Sequence, residues 1–383
     1  MYNSANLILN LLQLNYGMKW IKPNYSETEV NNAGRTLIKK QPSPSREELD
    51  EATKILDNWR GAHSYPMHVF KVRLKGEAKK VDKNALTAQR LKRVPAIIYK
   101  LTRQYSNRKN LITLFEMQDI GGCRAIMPNV MLAKQLYELH YQKGNLKHKA
   151  VKINDYITKP KNDGYRSFHI VYAYHSDKGK KAYNGLLVEL QFRSKLQHLW
   201  ATAVEVVGFI TQQAIKTNEG SEEWNEFFKL LSSAFAQIEK CPQVPNTPTD
   251  EKELYLSIKK KENELNLVNR LEIWTAGLNK MKNWSAESED INKNSKKKKH
   301  VQYFLLELNL AEKNLLVTAY KDGEETKAIE DYNAAEKKHH GEKQYDVVLV
   351  GVDSAKELEK AYPNYFADTK EFLKELRKIL NKY

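Results

Sequence analysis

The chain has 383 residues, with 63 Lys and Arg against 47 Asp and Glu, giving a formal net charge of +16. That length allows two or three domains with real hydrophobic cores, and 41% hydrophobic with 10% aromatic residues excludes a disordered or fibrous chain. Two cysteines, Cys123 and Cys241, exclude a disulfide framework and a multi-cysteine zinc site, which suits a reducing cytoplasm.

In chain order, Ala5–Leu14 is apolar but too short to span a bilayer and lacks the basic flank of a secretory signal, so no membrane contact is expected. Met18 is an alternative start, since residues 1–17 differ in character from the rest of the chain. After a Pro/Ser breaker at Gln41–Ser45, residues 46–60 have helical spacing. Met67–Leu74 (MHVFKVRL) and Leu86–Lys92 read as two strands joined by a Lys/Gly-rich turn, and Pro95–Arg103 as a short helix. Cys123–Met127 suits a buried strand and Val130–Tyr141 a helix with an apolar stripe. Ser167–Tyr174 and Gly185–Phe192 read as a second strand pair, followed by a helix from Lys195 to about Phe209. Residues 222–240 and 251–283 read as helices around a Pro-bearing loop, and Asn292–Lys299 as a basic linker. Beyond it, Val301–Leu308 and Leu315–Tyr320 suit a hairpin, Asp346–Val352 a third strand and Thr369–Asn381 a closing helix. The alternation predicts an α+β fold, a mixed sheet flanked by helices, with a smaller β-rich C-terminal domain.

Charge is unevenly placed. Residues 1–300 carry 50 basic and 31 acidic side chains, whereas residues 301–383 carry 13 and 16. A basic body suits a polyanionic partner such as nucleotide or nucleic acid; a solvated lysine surface gives the same balance.

Four segments concentrate the polar chemistry. In the first, Arg90 and Lys92 share a strand face and Lys100 and Arg103 lie one helical turn apart, which suits a triphosphate grip or a solvated basic face. In the second, Asp119-Ile-Gly-Gly122-Cys-Arg124 either presents a carboxylate to Mg²⁺ or is a plain turn into a strand. The third runs from Asp155 to His169 through Lys161, Asp163, Gly164, Tyr165 and Arg166. There Gly164 permits a backbone angle that throws Tyr165 outward as a stacking surface, with Arg166 and His169 in reach of phosphate. In the fourth, Glu189, Gln191 and Arg193 alternate on one strand face, which is either a catalytic wall or a water-facing edge.

In order, these segments read R-x-K…K, D-I-x-G-x-R, Y-x-x-x-P-K-x-x-G-Y-x-S-x-H and E-x-Q-x-R, and over roughly residues 65–210 they resemble the synthetase domain of the RelA/SpoT homologue family. The resemblance implies a nucleotidyltransferase-type core that transfers the β,γ-pyrophosphate of ATP to a ribose 3′-hydroxyl with Mg²⁺. By it, Arg90, Lys92, Lys100 and Arg124 would hold ATP, and Asp119 and Glu189 would hold Mg²⁺ as the catalytic carboxylates. Tyr165 would stack on the acceptor base, with Lys161, Arg166, His169, Gln191 and Arg193 completing the acceptor site.

Departures from the family pattern refine this. Only about 90 residues precede the first motif, too few for the family's hydrolase domain, and no His-Asp dipeptide occurs. Ala96 stands where many relatives have Ser, and Asp163 where many guanosine-nucleotide users have Asn. The chain is more similar to the toxic members, which pyrophosphorylate the 3′ CCA end of tRNA and stop translation, with Lys39 and Lys40 as tRNA contacts. The cysteine-free C-terminal region, about 270–383, resembles the pseudo-zinc-finger half of CapRel-type fused toxin–antitoxins. In that group a Tyr-x-x-Tyr motif, here Tyr362 and Tyr365, blocks the ATP site until a phage capsid protein is sensed. The expectation is therefore a cytoplasmic, monomeric, self-inhibited anti-phage toxin, with a synthetase domain over 18–265, a sensor domain over 270–383 and no zinc. The alternatives are a small alarmone synthetase making (p)ppGpp or (p)ppApp, and a catalytically dead binding module.

Overall fold

The computed structural model describes residues 20–39, 41–107, 112–141, 146–214, 221–273, 275, 301–309, 312, 314–321, 323–339, 342, 345–351 and 365–383. These form two compact units. The first holds the described residues up to Asp155 together with Ser167–Ser194; the second holds Tyr156–Arg166 and the described residues from Lys195 onward.

The first unit opens with helices α1 (Glu27–Ile38) and α2 (Arg46–Ala62). Each starts at a capping box, Ser26 with Glu29 and Ser45 with Glu48, which satisfies orphan backbone N–H groups at the helix start. Helix α3 (Ser64–Val81) comes next, then β1 (Leu86–Leu91), α4 (Val94–Asn107), β2 (Gly121–Met127), α5 (Val130–Tyr141), β3 (Lys149–Asp155), β4 (Phe168–Ala173) and β5 (Leu187–Ser194). The strand order is β1-β2-β5-β4-β3. Only β2 and β5 run parallel; the other pairs are antiparallel, so the sheet is mixed as expected. Along β2, Gly121, Cys123, Ala125 and Met127 are buried while Gly122, Arg124 and Ile126 are half-buried. Helices α3 and α5 pack on the sheet, and the Cys123 thiol donates to the Met67 carbonyl at 3.3 Å. Burial pushes that thiol up to about 12, which leaves it a protonated, inert core side chain.

Met67–Leu74 is helical, part of α3, and the expected strand is corrected. The buried positions are Met67, Phe70, Leu74 and Ala78, a stripe with helical spacing. Valine and phenylalanine favour strands locally, yet packing of this stripe on β1 and β2 decides the outcome. Helix α1 and strand β3 have no counterpart among the expected elements. Strand β3 is a largely exposed edge with no apolar run.

The second unit holds α6 (Lys195–Ala214), α7 (Ser221–Ile238) and α8 (Glu251–Leu265), then β6 (Val301–Asn309), β7 (Asn314–Lys321), α9 (Glu325–Lys338), β8 (Tyr345–Gly351) and α10 (Tyr365–Leu380). The expected hairpin and third strand form an antiparallel sheet in the order β7-β6-β8. Its central strand is buried on both faces. Phe304, Leu306 and Leu308 join a core with Phe227, Leu231 and Phe235 of α7, Leu254 and Ile258 of α8, and Phe372, Leu376 and Ile379 of α10. Leu305 points the other way, to Tyr320, Val347 and the α9 residues Ala328 and Ala335. With two helices among its described residues, this region is less purely β than its sequence suggests. Among the described residues no helix is long and apolar enough to cross a membrane.

Candidate active site

Within the first unit the polar residues gather at neighbouring strand positions. Register places Arg124 opposite Gln191 across β2 and β5, and His169 opposite Gln191 across β4 and β5. The side chains form one chain of hydrogen bonds. His169 Nδ1 pairs with Glu189 Oε1 at 2.8 Å, and Gln191 Nε2 donates to Glu189 Oε2 at 2.6 Å. Gln191 Oε1 in turn accepts from Arg193 Nη2 at 2.7 Å and from Arg124 Nε at 3.3 Å. Because Glu189 is an acceptor, the His169 proton sits on Nδ1 when the ring is neutral.

Asp119 stands just before β2. Its two carboxylate oxygens are each held at 2.8 Å by a lysine, Lys92 just past the end of β1 and Lys100 on α4. Burial opposes the Asp119 charge, but the two ammonium groups outweigh it and hold the carboxyl below its ordinary value. Burial likewise opposes the Glu189 charge, and hydrogen bonds from His169 and Gln191 overcome it. The negative charge of Asp119 itself works against ionisation of Glu189, so the two carboxylates share one electrostatic environment. Arg60, which does not stand out in the sequence, donates from Nε to the Lys92 carbonyl at 3.0 Å and fixes the chain beyond β1. Arg90 is half-buried on β1 opposite Gly122.

Two ionised carboxylates among cationic side chains suit Mg²⁺, which is commonly held by one or two carboxylates plus substrate phosphates. Among the described residues no cluster of three or more His, Cys, Asp and Glu could hold a metal. A metal here would therefore rest on the Asp119–Glu189 pair and on phosphate oxygens.

Of the third segment, Tyr156–Arg166 belong to the second unit, whereas Asp155 and His169 belong to the first. Its turn is closed by Gly164 N–H to the Lys161 carbonyl at 2.9 Å, and Tyr165 N–H donates to Asp163 Oδ1 at 2.9 Å. The Lys161 ammonium lies 4.5 Å from the centroid of the Tyr156 ring and 5.1 Å from that of Tyr165. Tyr165 is half-buried against the core of this unit. Arg166, expected to reach phosphate, is turned inward, with Nε on Ser232 Oγ at 3.0 Å and Nη1 on the Ile157 carbonyl at 3.3 Å. Lys39 is exposed at the end of α1; Lys40 and Tyr362 lie outside the described residues. Tyr365 is the first residue of α10.

Residues 89–207 match the family described as a region found in RelA / SpoT proteins. That stretch, about a third of the chain, contains every position from Arg90 to Arg193 discussed above. Similar solved structures include small alarmone synthetase 1 from Bacillus subtilis bound to its product pppGpp (23% identity; 50% of this chain and 94% of that one; TM-score 0.39). Small alarmone synthetase 2 from the same organism is also similar (18%; 49% and 94%; 0.39). So is a GTP pyrophosphokinase family protein from Streptococcus pneumoniae (22%; 46% and 85%; 0.36). No curated protein matches the chain.

Proposed function

We propose that the chain is an ATP-dependent pyrophosphokinase. The observation that carries this reading is the Asp119 carboxylate clamped by Lys92 and Lys100, next to a Glu189 carboxylate fixed by His169 and Gln191. Transfer of a phosphoryl-type group is mostly positioning and charge neutralisation, and these residues supply both. Arriving phosphates compete with Asp119 for Lys92 and Lys100, and with Gln191 for Arg124, while Arg90 adds a fork to the same grip. Glu189 accepts a hydrogen bond from the attacking ribose 3′-hydroxyl, orients it and takes its proton as the new O–P bond forms. Oxygen attack at the β-phosphorus breaks the α,β-bridge of ATP, so AMP leaves and the pyrophosphoryl group moves to the ribose. When bound, Mg²⁺ on Asp119 and Glu189 would neutralise charge on the transferred group.

The acceptor we propose is the 3′ CCA end of tRNA, supported by the basic balance of residues 1–300. Tyr165 stacks on the terminal base with Lys161 beside it, His169, Gln191 and Arg193 contact the acceptor from the first unit, and Lys39 and Lys40 bind the tRNA body. Functionally, residues 18–265 act as the toxin and 270–383 as a sensor in an anti-phage toxin–antitoxin. There Tyr362 and Tyr365 hold the enzyme inactive until a phage capsid protein binds. Incubating the full chain carrying Tyr362→Ala and Tyr365→Ala, which removes the proposed inhibition, with γ-labelled ATP and either tRNA or free nucleotides tests the reading. Labelled tRNA supports it, labelled GDP or ATP makes the protein an alarmone synthetase, and no label on any acceptor overturns the kinase reading.

A further inference from the structure

One hydroxyl grips the residues on both sides of Tyr165, the Gly164 backbone and the Arg166 side chain. Ser232, on α7 and beyond the segment that matches the RelA/SpoT region, donates from Oγ to the Gly164 carbonyl at 2.6 Å. The same Oγ accepts from Arg166 Nε at 3.0 Å. Arg166 is 4% exposed and Ser232 2%, so neither contact can be replaced readily by bulk water. The backbone of Gly164 has φ +93°, and a Cβ there would meet Ser232 Cβ at 2.9 Å and the Trp200 ring at 3.1 Å. Trp200 is itself fixed, its Nε1 donating to the Phe228 carbonyl at 2.8 Å on the same helix as Ser232. The residue before Tyr165 is thus seated in a slot between α6 and α7, and the residue after it is tied to the slot's wall. Inside the loop, Asp163 and Lys161 shape the turn but do not anchor it to a helix.

We propose that Ser232 is a positioning residue for the acceptor: it holds Tyr165 in place through Gly164 and Arg166, without touching substrate. This rests on the reading of Tyr165 as the acceptor's stacking surface. It also gives Arg166 a role different from phosphate binding. The guanidinium is spent inside the loop, and its effect reaches the acceptor only through Tyr165.

The test is a double-mutant cycle with Ser232→Ala and Tyr165→Ala, in a parent that is the full chain with the inhibitory pair removed (Tyr362→Ala, Tyr365→Ala). The acceptor is tRNA, GDP or ATP, whichever the parent labels, and binding of a non-hydrolysable ATP analogue is measured separately. Ser232→Ala should raise the acceptor KM about tenfold, the effect of one buried hydrogen-bond site, and leave analogue binding unchanged. In the Tyr165→Ala background the same change should have no further effect. Amide exchange of the 156–166 peptides should quicken while that of 119–127 stays as in the parent. Additive effects, a joint loss of analogue and acceptor binding, or unchanged acceptor KM and loop exchange would each overturn the proposal. Ser232→Cys keeps the volume with a much weaker hydrogen-bonding group and carries the same comparison if the alanine variant does not fold. Should the parent label no acceptor, the kinase reading fails and loop exchange alone decides whether Ser232 holds the loop.

Discussion

At Glu189 and Asp119, burial and partners pull in opposite directions, and the partners win in both cases. Each carboxyl is depressed from an ordinary value, 3.8 for Asp119 and 4.5 for Glu189. Each therefore contributes stability that is present above its unfolded value and lost as pH falls through the lower folded one. Between about pH 5 and 8 both stay ionised, so a kcat/KM profile should show no acid limb from this pair. A limb centred near pH 6 that disappeared in Glu189→Gln would assign Glu189 a different titration and overturn this account. Replacing either carboxylate with Ala should cost at least ~10²-fold in transfer. Gly164 is the other informative position. With φ +93° and no room for a Cβ, Gly164→Ala should cost on the order of 1–3 kcal/mol for the backbone alone, read by urea denaturation, and weaken acceptor use before ATP binding. The glycine and its tyrosine are legible in the sequence, because a Gly-Tyr pair inside a polar loop is a local signal. Ser232 is not, since its partners lie 66 and 68 residues away and leave no mark in spacing.

Elements with one period were legible; elements decided by packing were not. Helix α5 and strands β2, β4 and β5 follow their apolar patterns closely. Helix α3 does not, because its valines and phenylalanine favour a strand while its buried stripe has helical spacing. The two assignments separate cleanly at Val72 and Leu74. In a strand these residues would share a face, two positions apart. In α3 Leu74 is fully buried and Val72 is 59% exposed. Leu74→Ala should therefore cost about 2–5 kcal/mol while Val72→Ala stays within about 0.5 kcal/mol of the parent. Equal losses at both positions, measured by denaturant unfolding, would restore the strand. The capping boxes at Ser26 and Ser45 are both readable from S-x-x-E, yet only the second lies before a helix that the apolar spacing predicts.

Over the whole chain, the likeness of the C-terminal region to a fused toxin–antitoxin suggested a boundary near residue 270, but the apolar contacts of the second unit run across that point. Phe304, Leu306, Leu308, Phe372, Leu376 and Ile379 share one core with Leu231, Phe235, Leu254 and Ile258. Composition could not show this, since a shared core is a property of which faces meet and not of either segment alone. Six buried side chains at about 1.5–3 kcal/mol each amount to the order of a domain's entire stability, ~5–15 kcal/mol. Truncation before residue 270 should therefore expose the apolar sides of α7 and α8 instead of releasing a clean enzyme. The Tyr165 loop is seated on α7 and should loosen with it, whereas Asp119, Lys92 and Glu189 lie in the first unit. The expected product binds an ATP analogue, is quickly cut by protease within 195–265, and uses acceptor poorly. Relief of inhibition is then better sought in the full chain, with Tyr362→Ala and Tyr365→Ala. A soluble truncation with the parent's acceptor KM and protease resistance would show that the C-terminal sheet and helix are dispensable to that core.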